Sequence, residues 1–286
     1  MESVVRQGLG FEEDTMPSRL SDAEILELGD LNLAESAREM LRWHTGYHMQ
    51  EADDLLLAMS HDPFPIGYSN TAMPLGTAAS ADPAALLEKA EHFFDARGRG
   101  FTLWTRAHLD GALAECAESR GLSALSDMPG MVLDARVPDV TLGAGIRVEE
   151  AATGASLGDL GVVLPAAYTT MGLPPENSRA YFAMPERILH PHVIAVVGYL
   201  DDQPAAAAMV LLSHGIAGVY WVGTCEAARG RGLGEACTRL VGNLAFERGA
   251  RCVVLQASRQ GEPIYLRMGY REVTRYAWYV RGPKSS

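Results

Sequence analysis

Apolar residues along this chain follow two spacings, and the order in which the spacings alternate predicts a mixed α/β protein. Leu31, Leu33, Ala34, Ala37, Met40 and Leu41 recur at three- and four-residue steps, which puts them on one face of a helix over 31–43. The pattern returns over 83–94, behind Asp82 as a helix cap. Between these helices, 53–59 and 70–75 are short apolar runs bounded by Pro, Gly and Ser, as strands are. A strand over 101–105, a helix over 110–119 and a strand over 130–135 follow.

The second half repeats the alternation more legibly. Residues 146–149 read as a strand, and 157–170 and 178–187 as two helices parted by Gly172-Leu173-Pro174-Pro175. Apolar runs at 192–199, 205–212 and 218–223, joined by the turn signals Asp201-Asp202-Gln203-Pro204 and Ser213-His214-Gly215, predict an antiparallel meander. A helix over 233–247, a buried strand over 252–257, a short helix over 262–267 and a closing strand over 270–280 complete the order β-αα-βββ-α-β-α-β. Residues 136–145 carry Pro138 and two glycines with little periodicity, which marks a linker and divides the chain into domains at 1–141 and 142–286. A length of 286 residues, more than one core usually organises, agrees with two domains.

Charge narrows the choice of partner. Acidic residues outnumber basic ones 36 to 24, for a formal net charge of -12. That argues against a nucleic-acid surface, which needs clustered Lys and Arg, and favours a cationic acceptor such as an amine. Residues 1–13 lack the apolar centre of a signal peptide and no apolar run is long enough to span a bilayer, so a cytoplasmic protein without a membrane partner is expected. Cys116, Cys225, Cys237 and Cys252 have no paired metal-ligand spacing and read as reduced thiols. His190 and His192 lack an acidic or cysteine companion nearby in sequence, so no metal is expected.

The segment richest in chemistry is Arg229-Gly230-Arg231-Gly232-Leu233-Gly234, between an apolar strand and a helix. Its glycines let the backbone turn tightly and approach a ligand, and a helix N-terminus offers unpaired N–H groups and a partial positive charge, so the turn suits a pyrophosphate. A dinucleotide fold or a plain tight connection would use the same letters. The preceding meander and the non-acidic Gln256 disfavour the first, and a missing Lys-Ser or Lys-Thr pair disfavours a nucleotide-triphosphate loop. Arg97-Gly98-Arg99-Gly100 begins with the same letters but precedes a strand, and reads as a helix end and turn.

The pattern of Arg, two residues, Gly, one residue and Gly after the fourth strand resembles the coenzyme A signature of the GNAT superfamily of N-acetyltransferases. The resemblance covers roughly residues 145–283. It implies acetyl-CoA or another acyl-CoA as cosubstrate, with the main chain of Arg229, Gly230, Arg231, Gly232, Leu233, Gly234 and Glu235 at the pyrophosphate and Val222, Gly223 and Thr224 along pantetheine. Pro263-Ile264-Tyr265-Leu266 resembles the tyrosine-bearing short helix of that family, which makes Tyr265 the general acid for the departing thiolate; a phenol with an ordinary pKa of about 10 suits that task. The family often has Asn and Ala where this chain has Ser258 and Gly261, so Ser258 and Arg259 are weaker cofactor contacts. A carboxylate on the central strand, the family's common base, is missing from 217–223; Glu226 is the candidate, with an exposed loop residue as its other reading. The loop 168–179, with Tyr168, Met171, Leu173 and Pro174, corresponds to the border of the acceptor site.

The first half echoes the second. Residues 101–106, a helix, Arg120-Gly121-Leu122 and Met131-Val132-Leu133 parallel 252–257, a helix, Met268-Gly269-Tyr270 and 277–280, with Cys116 and Ala117 where the tyrosine would be. The expected fold is therefore α/β with a mixed sheet: two GNAT-like domains in tandem, each a mostly antiparallel sheet flanked by helices, the first without a cofactor turn and with an unrelated α/β domain as its other reading. Trp43, Tyr47 and Tyr68 are candidates for its cleft-facing surface, with packing as the alternative. The activity implied is acyl transfer to a primary amine of a small molecule or peptide by direct attack, in a monomer or homodimer. The alternative is a non-catalytic acyl-CoA sensor.

Overall fold

The computed structural model describes residues 19–284 apart from 53, 62–66 and 68, so Tyr68 lies outside the described residues. The first half contains α1 (Asp22–Arg42), β1 (His48–Ala52), β2 (Leu55–Met59), β3 (Asn70–Pro74), α2 (Pro83–Asp95), β4 (Phe101–Arg106), α3 (Gly111–Ser119) and β5 (Ser123–Leu133). The second contains β6 (Ile146–Glu150), α4 (Gly154–Thr169), α5 (Pro175–Tyr181), β7 (Val193–Leu200), β8 (Gln203–Ser213), β9 (Ile216–Thr224), α6 (Leu233–Glu247), β10 (Val253–Gln256), α7 (Glu262–Met268) and β11 (Arg271–Arg281).

Four elements depart from the sequence expectation, one being β5, which starts at Ser123 rather than near 130. Helix α1 begins well before residue 31, because the Ser21 hydroxyl accepts from the Glu24 N–H while the Glu24 carboxylate accepts from the Ser21 N–H, a capping box. The helix expected over 178–187 is α5 followed by a 3-10 turn at Pro185–Arg187, since Pro185 has no N–H with which to continue an α-helix. Strand β1, which was not expected, is an exposed edge strand whose residues His48-Met49-Gln50-Glu51-Ala52 carry little apolar alternation.

Both halves build one sheet of eleven strands, in the order β1-β2-β3-β4-β11-β5-β10-β9-β8-β7-β6. The last strand of each half crosses to the other: β11 pairs with β4, Trp278 opposite Trp104, and β5 pairs with β10, Met131 opposite Leu255. Strands β5 and β11 also pair with each other at the centre. Each half keeps one parallel pair, β3 with β4 and β9 with β10, within an otherwise antiparallel sheet.

One face of the second half is covered by α6 and α7, over a core that includes Val196, Val219, Val241 and Leu255. The other carries α4 and α5 together with α1 from the first half; α1 touches β2 as well as β8 and β9, so the sheet curls around it. Asn32 of α1 is fully buried, donating to the Leu211 carbonyl at 3.1 Å and Ser213 Oγ at 2.8 Å and accepting from the Tyr220 hydroxyl at 2.8 Å. Gly218 leaves the room, since a Cβ there would sit 2.0 Å from Asn32 Oδ1.

At the end of α1, His44 packs edge-on against Tyr181 of α5, ring centroids 4.0 Å apart, and its buried Nε2 has no hydrogen-bond partner among the described residues. Burial lowers the imidazole from 6.5 to about 4. The ring is therefore neutral when folded and takes up a proton on unfolding at any pH between those values, so its contribution is complete above 6.5 and is lost as pH falls towards 4. At about 1.4 kcal/mol per unit this amounts to roughly 3 kcal/mol. Urea midpoints measured from pH 7 to pH 4 are expected to fall for the native chain and to fall less for His44→Phe.

Candidate active site

Strands β9 and β10 run parallel for two residue pairs only, Ala217 with Val253 and Gly218 with Val254. Beyond Gly218 the ladder stops, and the rest of β9 is paired on its β8 side alone, Gly223 opposite Ala207 and Thr224 opposite Ala206. Trp221 has φ +54°, beside a register shift between Ala207 and Met209. This is a β-bulge, and positive φ at a bulky residue costs conformational energy. The bulge turns Tyr220 and Trp221 to the same face: Tyr220 meets Asn32, and the Trp221 ring lies 4.8 Å from Tyr168 and 4.9 Å from Tyr181. Gly223 allows α4 to close on β9, since a Cβ would sit 2.8 Å from that of Ala167.

Past β9 the chain makes the 3-10 turn Glu226–Ala228 and enters α6 through Gly230 and Gly232, at φ +75° and +82°. These left-handed values are the reason for glycine at both positions. Gly234 is glycine for a different reason: a Cβ there would lie 2.8 Å from Thr224 Oγ1. Where Ser21, Asp82 and Thr153 cap α1, α2 and α4 with side-chain oxygens, Gly232 brings none to α6. Ala236 donates to the Gly232 carbonyl at 2.9 Å, while the N–H groups of residues 230–235 have no acceptor among the described residues. Gly230, Arg231 and Gly232 are exposed. A row of free amides on an uncapped helix end suits an anion, and the helix dipole adds to this.

The side chains around this turn divide by task. Arg229 is engaged within the protein, donating to the Thr224 carbonyl at 3.3 Å and to Thr170 Oγ1, whereas Arg231 is exposed. The Glu235 carboxylate accepts from Arg239 at 2.7 Å, which leaves its main chain for the anion. Ser258 Oγ accepts from the Gly261 N–H at 3.1 Å and so shapes the entry to α7. Glu226 is exposed.

Tyr265 of α7 is buried against Tyr270, ring centroids 5.6 Å apart, and Gly261 makes room for it, since a Cβ there would lie 2.7 Å from Tyr265 Cε2. The ordinary phenol pKa expected from sequence needs correction. Burial pushes Tyr265 up to about 12, so it holds its proton throughout the physiological range. The Cys225 thiol is also raised by burial, and Cys237 and Cys252 are pushed up to about 12 by burial. None of the three is a ready thiolate nucleophile.

The equivalent place in the first half is closed. The counterpart of α6 is α2, between parallel strands β3 and β4, and its first turn is capped by Asp82, which accepts from the Ala85 N–H at 2.9 Å and sets a carboxylate where an anion would bind. Where β3 and β4 part, the buried Arg106 donates to the Gly76 carbonyl at 2.8 Å, to Asp110 at 2.7 Å and to Asp30 of α1 at 3.1 Å. Asp30 also accepts from the Tyr276 hydroxyl at 2.8 Å and lies 3.1 Å from His108 Nε2. Arg97-Gly98-Arg99-Gly100 ends α2, the Arg99 N–H returning to the Phe94 carbonyl, as read from sequence. Removing one partner of a buried ion network costs about 3–5 kcal/mol. Arg106→Met is expected to lower the unfolding free energy by about that much, read from urea denaturation, and Arg106→Met with Asp110→Leu to recover part of it.

The remaining candidates fall in three places. Trp43 is buried in the core, Tyr47 is exposed, and His190 and His192 stack at 5.3 Å, His192 Nε2 being 3.4 Å from the buried Glu39 carboxylate. Sequence reasoning did not pick out Glu39, Asn32 or Arg106, whose roles arise between segments distant in the chain. Among the described residues no helix is long and apolar enough to cross a membrane.

No family model matches the chain, and no curated protein sequence does. Solved structures do match its fold. A GCN5-related N-acetyltransferase from Kribbella flavida superposes with a TM-score of 0.69 at 19% identity, over 90% of this chain and 96% of that one. One from Sphaerobacter thermophilus gives 0.61 at 16% identity over 83% of each chain. A tandem GNAT protein from the clavulanic acid biosynthesis pathway gives 0.57 at 14% identity, over 94% of this chain and 98% of that one. The chain has the tandem GNAT fold along most of its length.

Proposed function

We propose that this protein is an acyl-CoA-dependent N-acyltransferase whose second half holds acetyl-CoA and passes the acyl group to a primary amine within a ternary complex. The observation that carries the reading is the run of unpartnered amides at residues 230–235, on an uncapped helix beside the gap between β9 and β10. Free N–H groups, exposed glycines and the absence of a capping oxygen fit a diphosphate. Bound acetyl-CoA supplies an acyl thioester. The main chain of Gly230 to Glu235 binds the phosphates, and the end of β9 from Val222 to Thr224, which has no strand beside it on the side of the gap, lies along the pantetheine amides, the Thr224 carbonyl itself already accepting from Arg229. Tyr265 keeps a proton on its hydroxyl for the departing thiolate. Direct attack by the amine is favoured because burial raises the thiols of Cys225, Cys237 and Cys252 and so disfavours a thiolate nucleophile there.

One observation favours the second reading, a non-catalytic acyl-CoA sensor. The most buried carboxylates on α1, Asp30 and Glu39, are already engaged by Arg106 and Tyr276 and by Arg42 and Trp43, and Glu226 is exposed. A thiol-release assay with acetyl-CoA and a panel of primary amines separates the two. Amine-dependent release of CoA is expected of the transferase; tight acetyl-CoA binding with no release on any amine would leave the sensor.

A further inference from the structure

Which backbone groups of β9 face the gap follows from its pairing with β8. The Cys225 N–H donates to the Ala205 carbonyl at 2.8 Å, so the peptide groups of Cys225 point at β8. Successive residues of a strand point their N–H and C=O groups to opposite sides, so those of Thr224, opposite Ala206, point away from β8 and towards the gap. The Thr224 carbonyl therefore stands on the edge along which the acyltransferase reading lays the pantetheine arm. There it accepts from Arg229 Nε at 3.3 Å.

The same guanidinium has a second anchor. Arg229 Nη2 donates to Thr170 Oγ1, and the Thr170 hydroxyl in turn donates to the Ala167 carbonyl at 2.6 Å, in the last turn of α4. A cation suits that helix end, where unpaired carbonyls carry a partial negative charge. Thr170 caps α4, and Gly172, at φ +90°, turns the chain into the loop that the sequence sets at the acceptor border. One side chain thus spans from the gap-facing edge of β9 to the start of that loop. Arg229 is exposed, so drawing it away breaks two hydrogen bonds without stranding a buried charge.

Given the acyltransferase reading, which this inference rests on, we infer that Arg229 is a strap across the mouth of the gap: the pantetheine arm displaces it from Thr224, and its withdrawal from Thr170 loosens the start of the acceptor-side loop. Cosubstrate and loop are thereby coupled, and the coupling is reciprocal. The test uses the full chain and Thr170→Val, which removes the far anchor and leaves the Arg229 charge in place. The calorimetric Kd for acetyl-CoA is expected to fall about two- to tenfold in Thr170→Val, what one hydrogen bond is worth, and Thr170→Ser, which keeps a hydroxyl, to match the native chain. The amides of Gly172 and Leu173, bonded to the Thr169 and Tyr168 carbonyls, are expected to exchange hydrogen at least threefold faster when acetyl-CoA binds the native chain, and to respond less in Thr170→Val. Should Thr170→Val unfold, Arg229→Ala answers instead: S-acetylpantetheine, which carries no phosphate, is expected to bind it at least twofold more tightly than it binds the native chain. An acetyl-CoA Kd unchanged or raised in a folded Thr170→Val, exchange at Gly172 and Leu173 that slows or stays the same on binding, or no gain in S-acetylpantetheine affinity in Arg229→Ala overturns the strap. Failure of the unaltered chain to bind acetyl-CoA would instead remove the acyltransferase reading beneath it.

Discussion

Gly234→Val is expected to weaken acetyl-CoA binding at least 100-fold while leaving the fold intact. A Cβ at 234 falls 2.8 Å from Thr224 Oγ1, so the first turn of α6 must move away from the end of β9 or Thr224 must turn. Either shift misaligns the amides of residues 233–235 with the strand end that would lie along pantetheine. Hydrogen bonds to a charged group are worth about 1.5–3 kcal/mol each, and the loss of two costs at least about 3 kcal/mol, a little over 100-fold. Gly234 has φ < 0, unlike Gly230 and Gly232, so the valine enters without backbone strain and the effect is confined to the collision. Titration calorimetry reads the affinity, and a thermal melt shows whether the fold is kept. Thr224→Ala in the Gly234→Ala background should restore part of the binding, since it removes the atom that is struck.

Tyr265→Phe is expected to lower kcat by about 10²–10⁴-fold, the range that a positioned general acid supplies, with little change in the Kd for acetyl-CoA. The ring is buried and the substitution keeps its shape, so a purely structural role predicts no such drop. The pH dependence follows from the burial-raised pKa of about 12: the acid is fully protonated at pH 7 and is lost only as pH approaches 12, so no alkaline fall in rate from Tyr265 is expected below about pH 10. The same shift bears on stability. The folded chain keeps this proton at pH values where the unfolded phenol, with its pKa of 10, gives it up, so the tyrosine's contribution is complete below 10 and is lost between 10 and about 12.

Local features were legible in the sequence and distant ones were not. Helix α6 spans 233–247 as its periodicity and glycine turn predict, because glycine spacing and helix start lie within a few residues of each other. The capping box from Ser21 to Glu24 was equally local and marks the true start of α1; the apolar stripe from Leu31 drew attention past it. The exchange of β5 and β11 leaves no local mark, since a buried strand alternates in the same way whichever neighbour it pairs with. The closure of the first half was half legible: Arg106 and Asp110 are a turn apart, but Asp30 and Gly76 join them only in the folded chain. At the candidate site, the glycine turn and the start of the helix behind it could be read from letters alone. The protonation of Tyr265 could not, because it depends on burial against Tyr270 and the rest of that core.

Whether the amides of residues 230–235 grip a diphosphate is tested most directly by titrating the chain with acetyl-CoA and with S-acetylpantetheine, which has the thioester and the arm but no phosphate. Acetyl-CoA should bind at least 100-fold more tightly, with an affinity that falls as salt rises. Equal affinity for the two, or no binding of acetyl-CoA at all, would contradict it.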